Sequence, residues 1–306
     1  MDMPPSSNKP HYNFWIIKLG KALSSKQYES ALFCAEEALQ IYNNSLAQFQ
    51  NDCKREAEPF LKKHIAKAFF KKMETLSKLE RQAEIPPVYD EMICRFGADN
   101  TPFIRKYLAK ALLAKALYFA QLAEREESFV SYALALLDEL IQKFDNETDK
   151  EIKEIKQIVA KAMSWKGNAL YYALDRDDDA VKAYDEFIEK FGNETDKEIK
   201  EIKRQVAEAM YDKGQCLRYD LDRKEDAVKA YDEFIEKFGN ETDIEIKQKV
   251  AKAMYDKGQC LYYLDRDDDA LKAYDDLIQK FSNETDEEIQ KTIKEAIDES
   301  REICII

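Results

Sequence analysis

The chain is poor in the residues that build turns and most active sites. Its 306 residues include seven glycines, seven prolines and two histidines. So little Gly and Pro leaves few residues for a turn-rich β architecture. It also leaves no glycine-rich phosphate loop and no dinucleotide fingerprint. His11 and His64 have no partner at metal-ligand spacing, and no segment reads His-Glu-x-x-His. Six cysteines, Cys34, Cys53, Cys94, Cys216, Cys260 and Cys304, are scattered without a Cys-x-x-Cys pair. That spacing argues against zinc and against a disulfide framework, and it predicts reduced thiols used as small core residues. No segment approaches the roughly 18 apolar residues of a membrane span, and the opening MDMPPSSNKP has no apolar core of signal-peptide length. A soluble, cytoplasmic chain with no membrane partner is expected. With carboxylates spread everywhere and no pair set apart, neither a catalytic centre nor a cofactor is expected.

What is abundant favours helix. Ala, Leu, Ile, Lys, Glu and Gln lose little side-chain freedom on a helix, and an apolar fraction of 45% is enough for a folded core. Charge is uneven: residues 1–102 carry 14 Lys/Arg against 13 Asp/Glu, and residues 103–306 carry 34 against 48. An acidic surface repels nucleic-acid phosphates, so no nucleic-acid partner is expected. The basic run from Lys54 to Lys72 interleaves acids and apolar residues at helical spacing and reads as a solvated helix face.

A repeat organises the chain. DAVKAYDEFIEKFGNETD, Asp179 to Asp196, recurs unchanged as Asp226 to Asp243, with weaker copies from Asp269, Ala133 and Val88. The aromatic near its end falls at Phe96, Phe144, Phe191, Phe238 and Phe281, at spacings of 48, 47, 47 and 43. Within one unit the apolar residues step by three and four: Val250, Ala253, Met254, Leu261 and Leu264 on a first helix, then Ala270, Leu271, Tyr274, Leu277, Ile278 and Phe281 on a second. Each unit is therefore a helix pair, and the longer period adds close to one turn to the first helix.

These residues resemble the tetratricopeptide repeat family. Its pattern of a large apolar residue, a Gly, an Ala and an aromatic is met by Met254, Gly258, Ala270 and Tyr274, by Met210, Gly214, Ala227 and Tyr231, and by Met163, Gly167, Ala180 and Tyr184. Trp15, Tyr28, Ala31, Ala38 and Leu39 fit the first unit, with Gly20 one place out of register. Ala116 and Met73 replace the Gly in the third and second units, Pro86-Pro87 opens the second helix of the second unit, and the family's closing Pro is missing. The resemblance implies an all-α fold, an α-solenoid coiled as a right-handed superhelix of about six helix pairs. Residues 1–10 would be a tail, followed by units at 11–57, 58–100, 101–147, 148–194, 195–241 and 242–284. Residues 285–306 would form a C-terminal capping helix. That helix ends in Ile303, Cys304, Ile305 and Ile306, an apolar finish that either folds back, makes an end-to-end self-association, or belongs to a longer chain.

The family's inner groove is lined by first helices and holds a peptide or protein. The resemblance places there Ser164, Asn168 and Tyr171; Tyr211, Gln215 and Arg218; and Tyr255, Gln259 and Tyr262. Tyr offers area with a polar tip, and Asn and Gln can bond a partner's backbone. Because Asp212 and Asp256 intrude, a neutral, apolar or basic partner segment is expected. The function implied is a non-enzymatic protein-interaction scaffold, with a regulatory or sensor subunit of a larger assembly as the alternative.

Two motifs have competing readings. Asp175, Asp177, Asp179 and Glu186 have the spacing of a calcium loop, but Ala180 stands where that loop needs Gly, so an acidic turn entering a helix is expected. Asn-Glu-Thr at Asn146, Asn193, Asn240 and Asn283 matches a glycosylation acceptor, yet it reads better as punctuation. Gly192 would close one helix in a left-handed cap. Capping boxes would open the next at Thr148 with Glu151, Thr195 with Glu198, Thr242 with Glu245, and Thr285 with Glu288.

Overall fold

A computed structural model describes residues 12–51, 58–122, 128–145, 152–193 and 200–305, and the regular structure among them is entirely helical. The α-helices are α1 (Tyr12–Ser24), α2 (Tyr28–Asn51), α3 (Glu58–Lys78), α4 (Ile85–Phe96), α5 (Pro102–Leu122), α6 (Ser128–Phe144), α7 (Ile152–Leu174), α8 (Asp177–Phe191), α9 (Lys200–Tyr219), α10 (Lys224–Phe238), α11 (Ile244–Tyr262), α12 (Asp267–Phe281) and α13 (Glu287–Ile305). They divide into two compact units, Met1–Val159 and Ala160–Ile306. The first carries 23 Lys/Arg and 23 Asp/Glu, the second 25 against 38, so the whole net charge of −13 belongs to the second.

In the second unit α8, α10 and α12 bury one stripe three times: Ala180, Ala183, Tyr184, Phe187 and Phe191; Ala227, Ala230, Tyr231, Phe234 and Phe238; Ala270, Ala273, Tyr274, Leu277 and Phe281. These positions follow the three- and four-residue steps of a single helix face, and full burial of each Phe or Leu contributes roughly 1.5–3 kcal/mol. The small residue opposite the stripe is set by approach distance. A Cβ added at Gly167, Gly214 or Gly258 would stand 2.5, 2.4 or 2.4 Å from a ring carbon of Tyr184, Tyr231 or Tyr274. Each second helix then packs on the following first helix, α8 on α9, α10 on α11 and α12 on α13, and successive first helices also touch, α9 with α11 and α11 with α13. This serial stacking is that of an α-solenoid.

In the first unit α1 packs on α2, α2 on α3, and α5 on α6, while α3 and α4 both meet α5. Pro86 and Pro87 lie in the first turn of α4, where a missing N–H costs nothing. Buried Ala116 stands at the glycine register and buried Leu137 at the tyrosine register, a larger residue matched by a smaller one. Lys106 and Lys110 of α5 both reach Glu154 of α7, at 2.7 and 2.8 Å.

The junctions correct the expected punctuation. Gly192 and Gly239 follow α8 and α10 with φ of −59°, in the right-handed helical region and not the left-handed one. Left-handed residues sit instead at the tight turns inside the pairs: Lys26, Glu80, Asp175, Asp222 and Asp265. Asp tolerates that conformation because its short carboxylate can bond locally. The expected boxes at Thr242 and Thr285 are also displaced by one residue. Asp243 accepts from the backbone N–H of Glu245 at 3.2 Å, and Asp286 accepts from those of Glu288 and Ile289 at 3.1 and 3.2 Å. An ionised carboxylate is the stronger acceptor and complements the helix dipole, so it takes the position from the hydroxyl. Thr148, Glu151, Thr195 and Glu198 lie outside the described residues.

Those same aspartates tie neighbouring units together. Arg204 of α9 donates to Asp243 from Nε and Nη2 at 3.1 and 2.7 Å, and Gln248 of α11 donates to Asp286. The acidic turns enter their helices as expected, with Arg176, Arg223 and Arg266 forking onto Asp179, Asp226 and Asp269 three residues on. Of the cysteines, Cys34, Cys216 and Cys260 are core residues, but Cys94 and Cys304 are exposed because they fall on the outer faces of α4 and α13. Cys53 is outside the described residues.

Candidate partner-binding face

The nine groove residues inferred from sequence lie on first helices, but most are engaged with the chain itself. Ser164 and Arg218 are each only 6% exposed. Asn168 of α7 accepts from the hydroxyl of Tyr184 at 3.0 Å. Tyr211 donates to Asp256 of α11 at 2.9 Å, and Gln215 donates both to Asp256 at 2.6 Å and to the Tyr231 hydroxyl at 2.8 Å. Arg218 forks onto Asp256 and Gln259 and stacks 4.3 Å above the ring of Tyr219. One junction on, Tyr255 and Gln259 both donate to Glu299 of α13 at 3.3 Å. The Tyr171 hydroxyl bonds Asp220, and Tyr262 is half-buried with its ring 5.8 Å from Tyr263.

These bonds form a ladder between successive first helices. A carboxylate two residues before the glycine, Asp212 or Asp256, or Glu299 at the same register of α13, is held by donors from the preceding helix. Burial pushes the Asp256 carboxyl up, against the pull of Arg218 and the hydroxyl and amide donors. Burial also pushes Asp212 up to about 6; Lys249 and the Tyr172 hydroxyl pull it down, and Glu208 pushes it further up. The hydroxyls of Tyr184 and Tyr231 find partners, whereas that of Tyr274 is buried with no hydrogen-bond partner among the described residues.

What the first helices leave to solvent is a different set. Tyr172, Tyr219 and Tyr263 are 65%, 58% and 62% exposed, and each stands five residues after the unit's glycine. Trp165, two residues before Gly167, is 40% exposed. Sequence reasoning passed over these four residues, although the threefold recurrence of Tyr at one register was the available signal. Each of the three tyrosines is followed closely by an acidic turn: Asp175, Asp220 with Asp222, and Asp265. Asp177, Cys216 and Asp220 bring three candidate ligand atoms within 4.8 Å. The Cys216 thiol donates to the Asp177 carbonyl at 3.5 Å and is pushed up to about 12 by burial and the nearby carboxylates, so it is held as a neutral donor. No described helix is long and apolar enough to cross a membrane.

The tetratricopeptide repeat model matches residues 161–193, 208–240 and 252–284. Among curated proteins no sequence match is found. Similar solved structures include a thermophilic TPR protein of Thermus thermophilus, 14% identical with a TM-score of 0.32, covering 79% of this chain and 98% of that one. Another is the TPR2AB-domain complex with pHSP90 of yeast Sti1, 14% identical with a TM-score of 0.31, covering 93% and 98%. A third is a tetratricopeptide repeat protein of Parabacteroides merdae, 12% identical with a TM-score of 0.34, covering 94% and 100%.

Proposed function

We propose that this chain, which carries three tetratricopeptide repeats between residues 161 and 284, is a non-enzymatic scaffold that captures a protein or peptide partner on its first-helix face. The observation that carries this reading is the recurrence of a solvent-exposed tyrosine at one register, Tyr172, Tyr219 and Tyr263. Tyr219 lies under Arg218 and the Tyr172 hydroxyl bonds Asp212, yet more than half of each ring, and of Tyr263, stays open to solvent, and rigid amphipathic rings are the side chains that anchor interfaces. The polar ladder beneath them locks the helices that present them, which lowers the ordering cost of binding. The acidic turns beside each ring favour a basic partner segment over an acidic one.

The test compares co-purifying proteins, by quantitative mass spectrometry, for the wild type and for Tyr172→Ser/Tyr219→Ser/Tyr263→Ser. Helicity should be unchanged and melting should fall only modestly, since Tyr172 gives up one hydroxyl bond to Asp212 and Tyr219 one stacking contact with Arg218, while the captured partner is depleted. An unchanged set of co-purifying proteins would refute the assignment of this face.

A further inference from the structure

The two buried aspartates at one register have unequal surroundings. Asp256 is matched by a guanidinium of its own chain, since Arg218, four residues after Gly214, forks onto Asp256 and Gln259 and stacks on Tyr219. Asp212 is the same position one unit earlier, and Gln215 and Tyr172 are its counterparts of Gln259 and Tyr219. The counterpart of Arg218 is Tyr171, whose hydroxyl is turned to Asp220. The acid and the stacking ring are therefore present at both junctions, and the guanidinium at only one.

What remains at the α7–α9 junction suits an external cation. Asp212 is 5% exposed, and the ring that covers it, Tyr172, is 65% exposed. Glu208, one turn earlier on α9, adds a second carboxylate. Its ion-pair partner, Lys249 of α11, sits 3.5 Å away and lies 5.4 Å from the centre of the Tyr211 ring. The surrounding unit carries 25 Lys/Arg against 38 Asp/Glu, which draws basic segments towards it.

We propose that the α7–α9 junction is a docking site for an arginine side chain of a basic partner segment, which lies over Tyr172 and pairs with Asp212 as Arg218 lies over Tyr219 and pairs with Asp256. This rests on the interaction-scaffold reading and narrows it to a partner chemistry. A planar fork meets a carboxylate with two donors and stacks on an aromatic face, which an ammonium does less well. The Tyr172 hydroxyl, which bonds Asp212, is the group that yields its place. The groups facing Asp212 are Tyr172 of α7, Tyr184 of α8, Glu208 and Tyr211 of α9, and Lys249 of α11. A bound guanidinium keeps the carboxylate ionised, so binding releases a proton below about pH 6 and tightens as pH rises from about 5 to 7.

The probe is a fluorescein-labelled alanine peptide with two spaced arginines, measured by anisotropy against its citrulline counterpart on the full chain. The arginine peptide should bind roughly tenfold more tightly than the citrulline one. Asp212→Asn should remove that difference and the pH dependence, while Glu233→Gln, an exposed acid elsewhere, should change affinity by less than about twofold. Tyr171→Arg supplies the guanidinium from within and should abolish peptide binding, which decides the matter even if Asp212→Asn disturbs the fold. Equal binding of both peptides, equal losses for Asp212→Asn and Glu233→Gln, or intact binding by Tyr171→Arg would overturn the proposal. If these fail while the triple tyrosine variant still loses its partner, the scaffold reading stands and the arginine site falls.

Discussion

Gly214→Ala isolates the contact that sets the spacing of a helix pair. Alone on a helix the change would stabilise by about 1 kcal/mol, because Ala has the better helix propensity. Here its Cβ would lie 2.4, 2.8 and 2.9 Å from three carbons of the Tyr231 ring. Carbon atoms pack best at roughly 3.5–4.0 Å, so ring or helix must retreat by about 1 Å. The ring has little room: Tyr231 is fully buried, Gln215 holds its hydroxyl at 2.8 Å, and the Tyr211 ring centre lies 6.3 Å away. Overpacking costs about 1–3 kcal/mol and a strained hydrogen bond about 1 more, so the expected net loss is about 1–3 kcal/mol after the propensity gain. Urea unfolding followed by helical circular dichroism measures it. Tyr231→Leu removes the obstacle, so the double variant should be less destabilised than the two single changes summed, by about 1 kcal/mol or more. The first unit holds that combination at Ala116 and Leu137. A Gly214→Ala chain as stable as the wild type, or additive effects in the cycle, would refute close approach as the reason for the glycine.

Further outcomes follow from the buried polar groups. Tyr274→Phe removes a hydroxyl with no partner among the described residues and should be neutral or stabilising; Tyr231→Phe removes the acceptor of the Gln215 bond and should cost about 1 kcal/mol in the same unfolding assay. Asp256→Ala leaves Arg218 buried without its carboxylate and should cost about 3–5 kcal/mol, seen as a large fall in the urea midpoint. Asp212→Asn should act in the opposite direction. Asp212 is raised from 3.8 to about 6 in the folded chain, so the folded state holds the extra proton and stability falls as pH rises through that window. Above about pH 6 the buried charge costs on the order of 3 kcal/mol, and its removal should stabilise by about 1–3 kcal/mol near neutral pH and by little near pH 4. Stabilisation that grew on acidification would refute the buried-charge account.

The helix pairs were legible because burial repeats. Ala180, Tyr184, Phe187 and Phe191 show one face at a three- and four-residue period, and the same stripe returns unchanged from Ala227. Gly167, Gly214 and Gly258 were legible for the same reason, since a small residue opposite a large one is a packing statement. The helix junctions were not. Thr242 and Asp243 are both good caps, and the choice turns on Arg204, which approaches Asp243 from a helix nearly forty residues earlier and favours its ionised form. Nor could the face be resolved to one residue. Tyr171 and Tyr172 are adjacent and chemically identical, and tertiary packing alone makes the first half-buried with its hydroxyl on Asp220, just past α9, and the second exposed with its hydroxyl on Asp212 of α9.

The glycine register also explains why α13 behaves differently from the first helices it resembles. Ile289, Ile293 and Ala296 are buried at the positions of Ile246, Val250 and Ala253, and Glu299 accepts from Tyr255 and Gln259 as Asp256 accepts from Tyr211 and Gln215. Towards α11 and α12, then, α13 is one more first helix. At the position of Gly258, however, it carries Arg301, which is exposed and pairs with Asp298 at 3.4 Å. Where a single Cβ would already stand 2.4 Å from the tyrosine of a following helix, a guanidinium side chain leaves that helix no seat at this spacing. At the register where a glycine joins each pair in the second unit, α13 therefore presents a charged side chain to water in place of a small residue, and the difference lies in that one position and not in the face by which α13 packs on α11 and α12.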